Sequence, residues 1–244
     1  MSRKPQLSVV IPAYNEAERL PSTLQRIRAY IDERRLDAEL IVVDDGSSDN
    51  TADLAAGAID GIGQVIRNSE NRGKGAAVRD GFHAANGRWV LMSDADLSTP
   101  IEEYEKLSAI ARDHDLDIVI GSRGLSDSQV EIRQFWLRQF MGKTFNVMIR
   151  GLTDLPFKDT QCGFKLMDRD RLKPIFDKMV VDRFAFDVEM LFLAHRMGLA
   201  IQEVPVVWRN EPNSKVNMVV DPPNMLAEVA RVRWRFRRGD YHPS

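Results

Sequence analysis

Asp94 and Asp96 stand one residue apart in Ser93-Asp94-Ala95-Asp96, directly after the run Arg88-Trp89-Val90-Leu91-Met92. That short apolar run reads as a buried strand. Two carboxylates therefore leave a strand end together, where open α/β sheets place their ligand sites. Hard oxygen ligands at this spacing suit Mg²⁺ or Mn²⁺, and such an ion can carry a diphosphate. A solvated acidic turn is the plain structural alternative.

Other strand ends collect polar groups in the same way. Leu7 to Ile11, stopped by Pro12, leads into Pro12-Ala13-Tyr14-Asn15-Glu16; Leu40 to Val43 leads into Asp44-Asp45; Asp117 to Ile120 leads into Gly121-Ser122-Arg123. In a parallel sheet these ends converge on one crevice. Carboxylates gathered so closely repel one another unless a cation or hydrogen-bond donors intervene, and a metal is the simplest expectation. For Asp45 an Asx-turn capping the next helix is the alternative. Asn71-Arg72-Gly73-Lys74-Gly75 opens a helix, where glycines admit a ligand to the backbone and the helix N-terminus favours anions. Lys74 can reach a phosphate from there, although the motif is not a P-loop, and a helix start with a solvated lysine is the alternative.

The elements that must hold these groups follow from periodicity. Leu20, Leu24, Ile27 and Ile31 share a helical face, with Pro21 tolerated in the first turn. Helices are also predicted over Ser48–Ala58, Lys74–Ala85 and Ile101–Arg112, and a further strand over Gln64–Arg67. Strand and helix thus alternate about every 20–25 residues, which predicts right-handed βαβ units and a parallel sheet covered on both faces. The second half is less regular: a long helix over Glu131–Arg150, a strand over Phe164–Met167, a helix over Phe186–Met197 and a strand over Ile201–Val207. Asn210–Asn224 is the expected mobile loop.

Composition sets the outer limits. The 244 residues are 43% hydrophobic, enough for a real core, and the net charge of -2 gives no global pull toward nucleic acid. Cys162 is the single cysteine, so no internal disulfide forms and a reducing compartment is compatible. The polar start, Met1 to Gln6, leads straight into a strand and is not expected to be a signal peptide. No run approaches the ~20 apolar residues of a membrane span. His83, His114, His195 and His242 show no metal-ligand spacing.

Four segments together carry a family resemblance: Val9-Val10-Ile11-Pro12-Ala13-Tyr14-Asn15-Glu16, Val42-Val43-Asp44-Asp45-Gly46-Ser47-Ser48-Asp49, Asn71-Arg72-Gly73-Lys74-Gly75 and Asp94-Ala95-Asp96. The chain resembles the family 2 inverting glycosyltransferases. The implied fold is α/β of the GT-A (Rossmann-like) type: a mostly parallel sheet flanked by helices, here with a C-terminal amphipathic helical extension. Asp159-Thr160-Gln161-Cys162-Gly163-Phe164-Lys165 and Phe184-Ala185-Phe186-Asp187-Val188-Glu189 look like the polyprenyl-phosphate branch, more the dolichyl-phosphate glucosyltransferases than the mannosyl ones. The implied organisation is a glycosyltransferase domain over 1–210, with a nucleotide-sugar half to about residue 125 and an acceptor half over 126–210. A loop and basic helix follow over 211–244.

The resemblance also implies roles. Pro12, Tyr14, Glu16, Asp44, Asp45, Lys74 and Asp94 would bind the nucleoside diphosphate sugar. Asp94 and Asp96 would hold the Mg²⁺ or Mn²⁺, with Ser98 where mannosyl relatives place a third ligand; Asp96 and Asp187 are the expected catalytic residues. Arg123, Arg138, Ser214 and Lys215 would grip the acceptor phosphate, since a guanidinium binds phosphate oxygens bidentately. Arg133, Lys143 and Arg150 also make the middle segment basic, and Lys143 and Arg150 are read as ordinary surface charge. A phosphate monoester has a second pKa of about 6 and arrives largely ionised, so it needs positioning more than a base. Asp187 then bonds a sugar hydroxyl, serves as base for a hydroxyl acceptor, or is structural.

Met225, Val229, Val232 and Phe236 share one helical face beside the stripe Arg231, Arg235 and Arg238, with Arg233, Arg237 and Trp234 nearby. This reads as a membrane-surface helix, the alternative being a helix packed on the domain or on a second subunit. No aromatic platform supports a nucleic acid partner. The expected activity is metal-dependent, inverting transfer of a hexose, glucose from UDP-glucose, to a polyprenyl phosphate at the cytoplasmic face of a membrane. The alternatives are GDP-mannose as donor, a hydroxyl acceptor with Asp187 as base, or a sugar-nucleotide-binding scaffold. Oligomeric state is left open.

Overall fold

The computed structural model describes residues 4–130, 146–209 and 221–241. Five parallel strands build the backbone of the fold: β1 (Leu7–Ala13), β2 (Ala38–Asp44), β3 (Gly63–Arg67), β4 (Trp89–Met92) and β5 (Ile118–Ser122). They alternate with α1 (Leu20–Arg34), α2 (Thr51–Ala58), α3 (Lys74–Ala84) and α4 (Glu103–Asp113). A two-residue strand β6 (Gln129–Val130) follows, and residues 146–153 are helical (α5). Then come β7 (Lys165–Asp168), α6 (Arg169–Phe176), α7 (Phe186–Arg196), β8 (Ile201–Pro205), β9 (Val207–Trp208) and α8 (Asp221–Arg238).

The main sheet has the order β3-β2-β1-β4-β7-β5-β8, and β6 pairs with β9 separately. β7 runs antiparallel between β4 and β5, so the expected parallel sheet is a mixed one. This inversion matters for the site: Lys165, at the start of β7, lies opposite Met92, at the end of β4. The first residue of one strand thereby joins the C-terminal ends of the others.

Strand alternation sends side chains to two faces. Val9, Ile11, Leu40 and Val42 pack under α1 and α4, with Leu24, Ile27 and Leu107. Val10, Ile41 and Val43 pack on the other side with Phe82 of α3, Phe176 of α6 and Phe192 of α7. The Phe82 and Phe176 rings stack at 3.7 Å.

The structure departs from the sequence reading at three further points. Pro12 does not stop β1: the strand continues to Ala13 opposite Asp44, while β4 pairs only as far as Val10. Beyond that point β1 has a free edge, where a missing N–H costs no ladder bond. The expected Ile201–Val207 strand is two strands parted at Val206, because β8 pairs with β5 and β9 with β6. The α6 helix was not foreseen; Asp168 caps it by accepting from the Asp170 and Arg171 N–H groups. Of the predicted 131–150 helix, residues 131–145 lie outside the described residues, as does most of the 210–224 loop.

The apolar face of α8 is occupied by the protein itself. Met225, Val229 and Val232 are buried in the α7 side of the core, and Phe236 meets the Phe192 ring edge-on at 5.2 Å. The packed-helix alternative therefore holds for this face, and only the polar face with Trp234 remains outside.

Candidate active site

The Asp94–Asp96 turn is built under constraint. Leu97 takes a left-handed φ of +48°, its N–H donates to the Asp94 carbonyl at 3.1 Å, and Thr23 Oγ1 donates to the Ala95 carbonyl at 2.8 Å. A non-glycine residue holds such a conformation only when its surroundings enforce it, and such residues cluster at functional sites. Asp96 Oδ1 accepts from the Ser98 N–H at 3.0 Å.

Asp45 does something other than cap α2. Its carboxylate accepts from the N–H groups of Arg72 (3.1 Å) and Gly73 (2.7 Å) and from Asn68 Nδ2 (3.3 Å), so it fixes the glycine loop. Gly73 has a φ of +111°, and a Cβ there would meet the Asp182 carbonyl oxygen at 2.5 Å. Glycine is required on both counts. Asp44 accepts from the Ser47 hydroxyl, which in turn accepts from the Asn15 N–H at 2.8 Å. The Glu16 carboxylate bonds the Arg19 guanidinium, and its N–H donates to Thr51 Oγ1 at 2.7 Å. Pro12 is buried, whereas Tyr14 stands exposed beside the crevice.

Three ion pairs fill the centre. Lys74 Nζ lies 2.5 Å from Asp94 Oδ1. Lys165 Nζ, wholly buried, lies 2.6 Å from Asp187 Oδ1 and donates to the Cys162 carbonyl at 2.5 Å. Arg123 grips Asp159 in a fork, with Nε at 2.7 Å and Nη2 at 2.9 Å, while its N–H adds a third bond at 3.0 Å. The Trp208 ring lies 5.5 Å from the Arg123 guanidinium carbon.

The charges influence one another. Burial opposes ionisation of Asp94, but Lys74, with Lys165 and Arg123 behind it, holds its carboxyl below the ordinary value. Burial likewise opposes the Lys74 ammonium, and Asp94, Asp187 and Asp96 outweigh it and hold its pKa up. Asp96 is pushed up by burial and by the Asp94 charge. Asp187 is also pushed up, because burial exceeds the pull of Lys165 and Lys74. Asp159 is drawn down to about 2, since Arg123 overcomes the effect of burial.

Much of the carboxylate repulsion is thus relieved by Lys74, Lys165 and backbone N–H groups rather than by a metal alone. Among the described residues no group of three or more His, Cys, Asp and Glu could enclose a metal ion. Asp94 and Asp96 nevertheless fit a divalent ion that takes its other oxygens from a ligand. Both are hard donors, both are partly open to solvent, and each raises the other's need for positive charge.

Sequence reasoning missed Lys165 and Asp159 as site residues. The available signal was a lysine inside the apolar run Phe164-Lys165-Leu166-Met167, a position that must pair if buried. Gly163 was also unforeseen: a Cβ there would meet Asp94 Oδ2 at 1.9 Å, so its backbone lies directly on that carboxylate. Arg138, Ser214 and Lys215 lie outside the described residues.

The glycosyl transferase family 2 model matches residues 8–176, from β1 through α6. The chain belongs to glycosyl transferase family 2. This glycosyltransferase is 36% identical over 96% of its length to the dolichyl-phosphate beta-glucosyltransferase of Dictyostelium discoideum, and covers 75% of that protein. It is 35% identical to the Homo sapiens protein of the same name, over 96% of this chain and 76% of that one. Among solved structures, Mycobacterium tuberculosis glucosyl-3-phosphoglycerate synthase with Mn²⁺, UDP-glucose and phosphoglyceric acid superposes with a TM-score of 0.71. The identity is 20%, over 94% of this chain and 79% of that one. Mannosyl-3-phosphoglycerate synthase from Rubrobacter xylanophilus gives 0.69 at 20% identity, over 98% and 76%. These likenesses agree with the expected GT-A architecture.

Proposed function

We propose that this glycosyltransferase moves glucose from UDP-glucose to a polyprenyl phosphate, with inversion at the sugar and with Mg²⁺ or Mn²⁺ bound. The observation that carries this reading is the contact between Lys165 and Asp187. The side chain in the place of a general base is already paired with a buried ammonium, an arrangement suited to a nucleophile that arrives ionised. An acceptor phosphate is such a nucleophile at neutral pH. Its oxygen attacks the anomeric carbon, the bond from that carbon to the diphosphate oxygen breaks, and the electron pair leaves with the nucleoside diphosphate.

Pro12, Tyr14, Glu16, Asp44 and Asp45 surround the nucleoside in this reading, and Lys74 reaches the diphosphate. Asp94 and Asp96 would hold a divalent ion, which would offset charge on the leaving group. Arg123, oriented by Asp159, faces the acceptor phosphate together with Arg138, Ser214 and Lys215. Asp187 orients a sugar hydroxyl. The activity named for the relatives supports the acceptor and the sugar, and the neighbour bound to Mn²⁺ and UDP-glucose supports the donor and the ion. No helix among the described residues is long and apolar enough to cross a membrane. We place the enzyme at the cytoplasmic membrane face, with which the unpaired thiol of Cys162 is compatible.

A second reading, a hydroxyl acceptor with Asp187 as base, draws on the raised pKa of that buried carboxyl. The test is transfer from radiolabelled UDP-glucose to polyprenyl phosphate in detergent, with metal or EDTA, followed by butanol extraction. Label in the organic phase with metal and not with EDTA is the expected result. Label from GDP-mannose instead would overturn the sugar. Nucleotide binding without transfer from any donor would favour a binding scaffold.

A further inference from the structure

Behind the glycine loop lies a cavity of about 250 Å³ whose charged walls the transfer reaction does not use. Arg72, Arg183, Arg231 and Arg235 line it together with Val180 and Val181, and the Arg72 guanidinium is paired with Asp80. Two acids share the lining, Asp182 and Glu228. Asp182 is committed to Arg79 at 2.5 Å, and burial pushes the Glu228 carboxyl up despite Arg231 and Arg183. Among the described residues no ion pair engages Arg183 or Arg231. An excess of guanidinium groups in a concave site calls for a phosphate, which their planar forks bind bidentately.

The surrounding surface identifies the source of that phosphate. Arg231, Trp234, Arg235 and Arg238 fall at i, i+3, i+4 and i+7 on one face of α8. Trp234 is 55% exposed, and the Arg238 guanidinium carbon stands 4.5 Å from its ring centre. The opposite face, through Val229 and Val232, is spent on the core. A large exposed aromatic flanked by arginines suits the headgroup layer of a bilayer, where tryptophan and cationic side chains gather. The cavity is small beside sites for whole drug-sized ligands.

We infer that this cavity takes the phosphate headgroup of an anionic membrane lipid, at a site separate from the one that holds the acceptor. It rests on the reading that the acceptor is a lipid. The cavity wall is continuous with the donor half: the Asp182 carbonyl accepts from the Ala76 N–H at 3.0 Å, and Arg72 belongs to the glycine loop itself. The Val180 and Val181 N–H groups are held by Glu189, whose carboxylate also accepts from the Tyr241 hydroxyl at 2.6 Å. Headgroup binding therefore docks the glycine loop and α8 on the membrane together.

The test is sedimentation of the full chain with vesicles of phosphatidylcholine alone or mixed with phosphatidylserine. Transfer to a short, water-soluble polyprenyl phosphate is followed in parallel. Each arginine near an anionic surface is expected to contribute about fivefold to affinity. Arg231→Gln should weaken binding to the mixed vesicles by about that factor, and Arg231→Gln/Arg235→Gln by more. Arg237→Gln, off the cavity face, should stay within about twofold, and transfer in solution should be unchanged in all three. Equal losses for Arg231→Gln and Arg237→Gln would overturn the site in favour of diffuse charge. Hydrogen-exchange protection of residues 179–183 by inorganic phosphate, with no vesicle binding, would overturn the lipid assignment. If wild type fails to transfer in solution, the acceptor reading fails, while the vesicle result still reports on the cavity.

Discussion

Lys165 Nζ stands 2.6 Å from Asp187 Oδ1, with the lysine wholly buried and the carboxylate almost so. The two come from elements far apart in sequence, β7 and α7. The antiparallel insertion of β7 is what brings the lysine to the C-terminal ends of the parallel strands. Lys165 helps to hold Asp94 ionised, and its contact occupies Asp187 Oδ1 while burial pushes that carboxyl up.

Breaking that pair on one side should be costly. Lys165→Met leaves Asp187 buried and unpaired, and is expected to lower unfolding free energy by about 3–5 kcal/mol. Lys165→Met/Asp187→Leu should recover much of the loss and still lack transferase activity. Urea denaturation with circular dichroism measures both.

Gly163→Ala should disable the site and leave the fold intact. The new Cβ would meet Asp94 Oδ2 at 1.9 Å, and Asp94 must move away from Lys74. If Asp94 holds the ion as proposed, titration calorimetry with UDP and Mn²⁺ is expected to show at least about tenfold weaker binding. An unchanged affinity would show that Asp94 is free to rearrange.

The Asp159–Arg123 pair gives a pH signature. Folding lowers the Asp159 carboxyl to about 2, beneath its unfolded value. The stabilisation is therefore complete above about pH 4 and disappears as pH falls toward 2, when the folded carboxyl takes up its proton. Wild type and Asp159→Asn should differ most near pH 5, and the gap should narrow by about 2 kcal/mol on acidification. Urea midpoints across that range would show it. A gap independent of pH would mean the pair contributes only hydrogen bonds.

The C-terminal helix divides cleanly into two faces. Val229→Ala removes a fully buried side chain and is expected to destabilise by about 1–3 kcal/mol. Trp234→Ala, on the open face, should leave the melting temperature within about 2 °C, in line with the small effect of surface substitutions. The reverse pattern would mean that α8 is not packed on the core as described.

What could be read from the sequence was local. The run Trp89–Met92 followed by two aspartates located a strand and the carboxylate pair at its end, because neither needs distant information. Leu20, Leu24, Ile27 and Ile31 likewise predicted α1 by periodicity alone. What stayed hidden depended on pairing across the chain. The reversal of β7, the embrace of the glycine loop by Asp45, and the Lys165–Asp187 and Arg123–Asp159 contacts all join residues 22 or more positions apart. The amphipathic pattern of α8 was visible, but periodicity cannot say whether an apolar face meets lipid or protein. Phe192, from α7, decides it.

The most direct test compares two acceptors that differ only in their head: polyprenyl phosphate and the corresponding polyprenol. Each is offered with radiolabelled UDP-glucose and Mn²⁺ to wild type and to Asp187→Asn. Label is expected on the phosphate alone. Asp187→Asn should slow this transfer by about 10–100-fold without abolishing it, the size of effect expected when an interaction of about 1.4–2.7 kcal/mol is lost. Labelling of polyprenol, extinguished by Asp187→Asn, would contradict the account and restore Asp187 as a base.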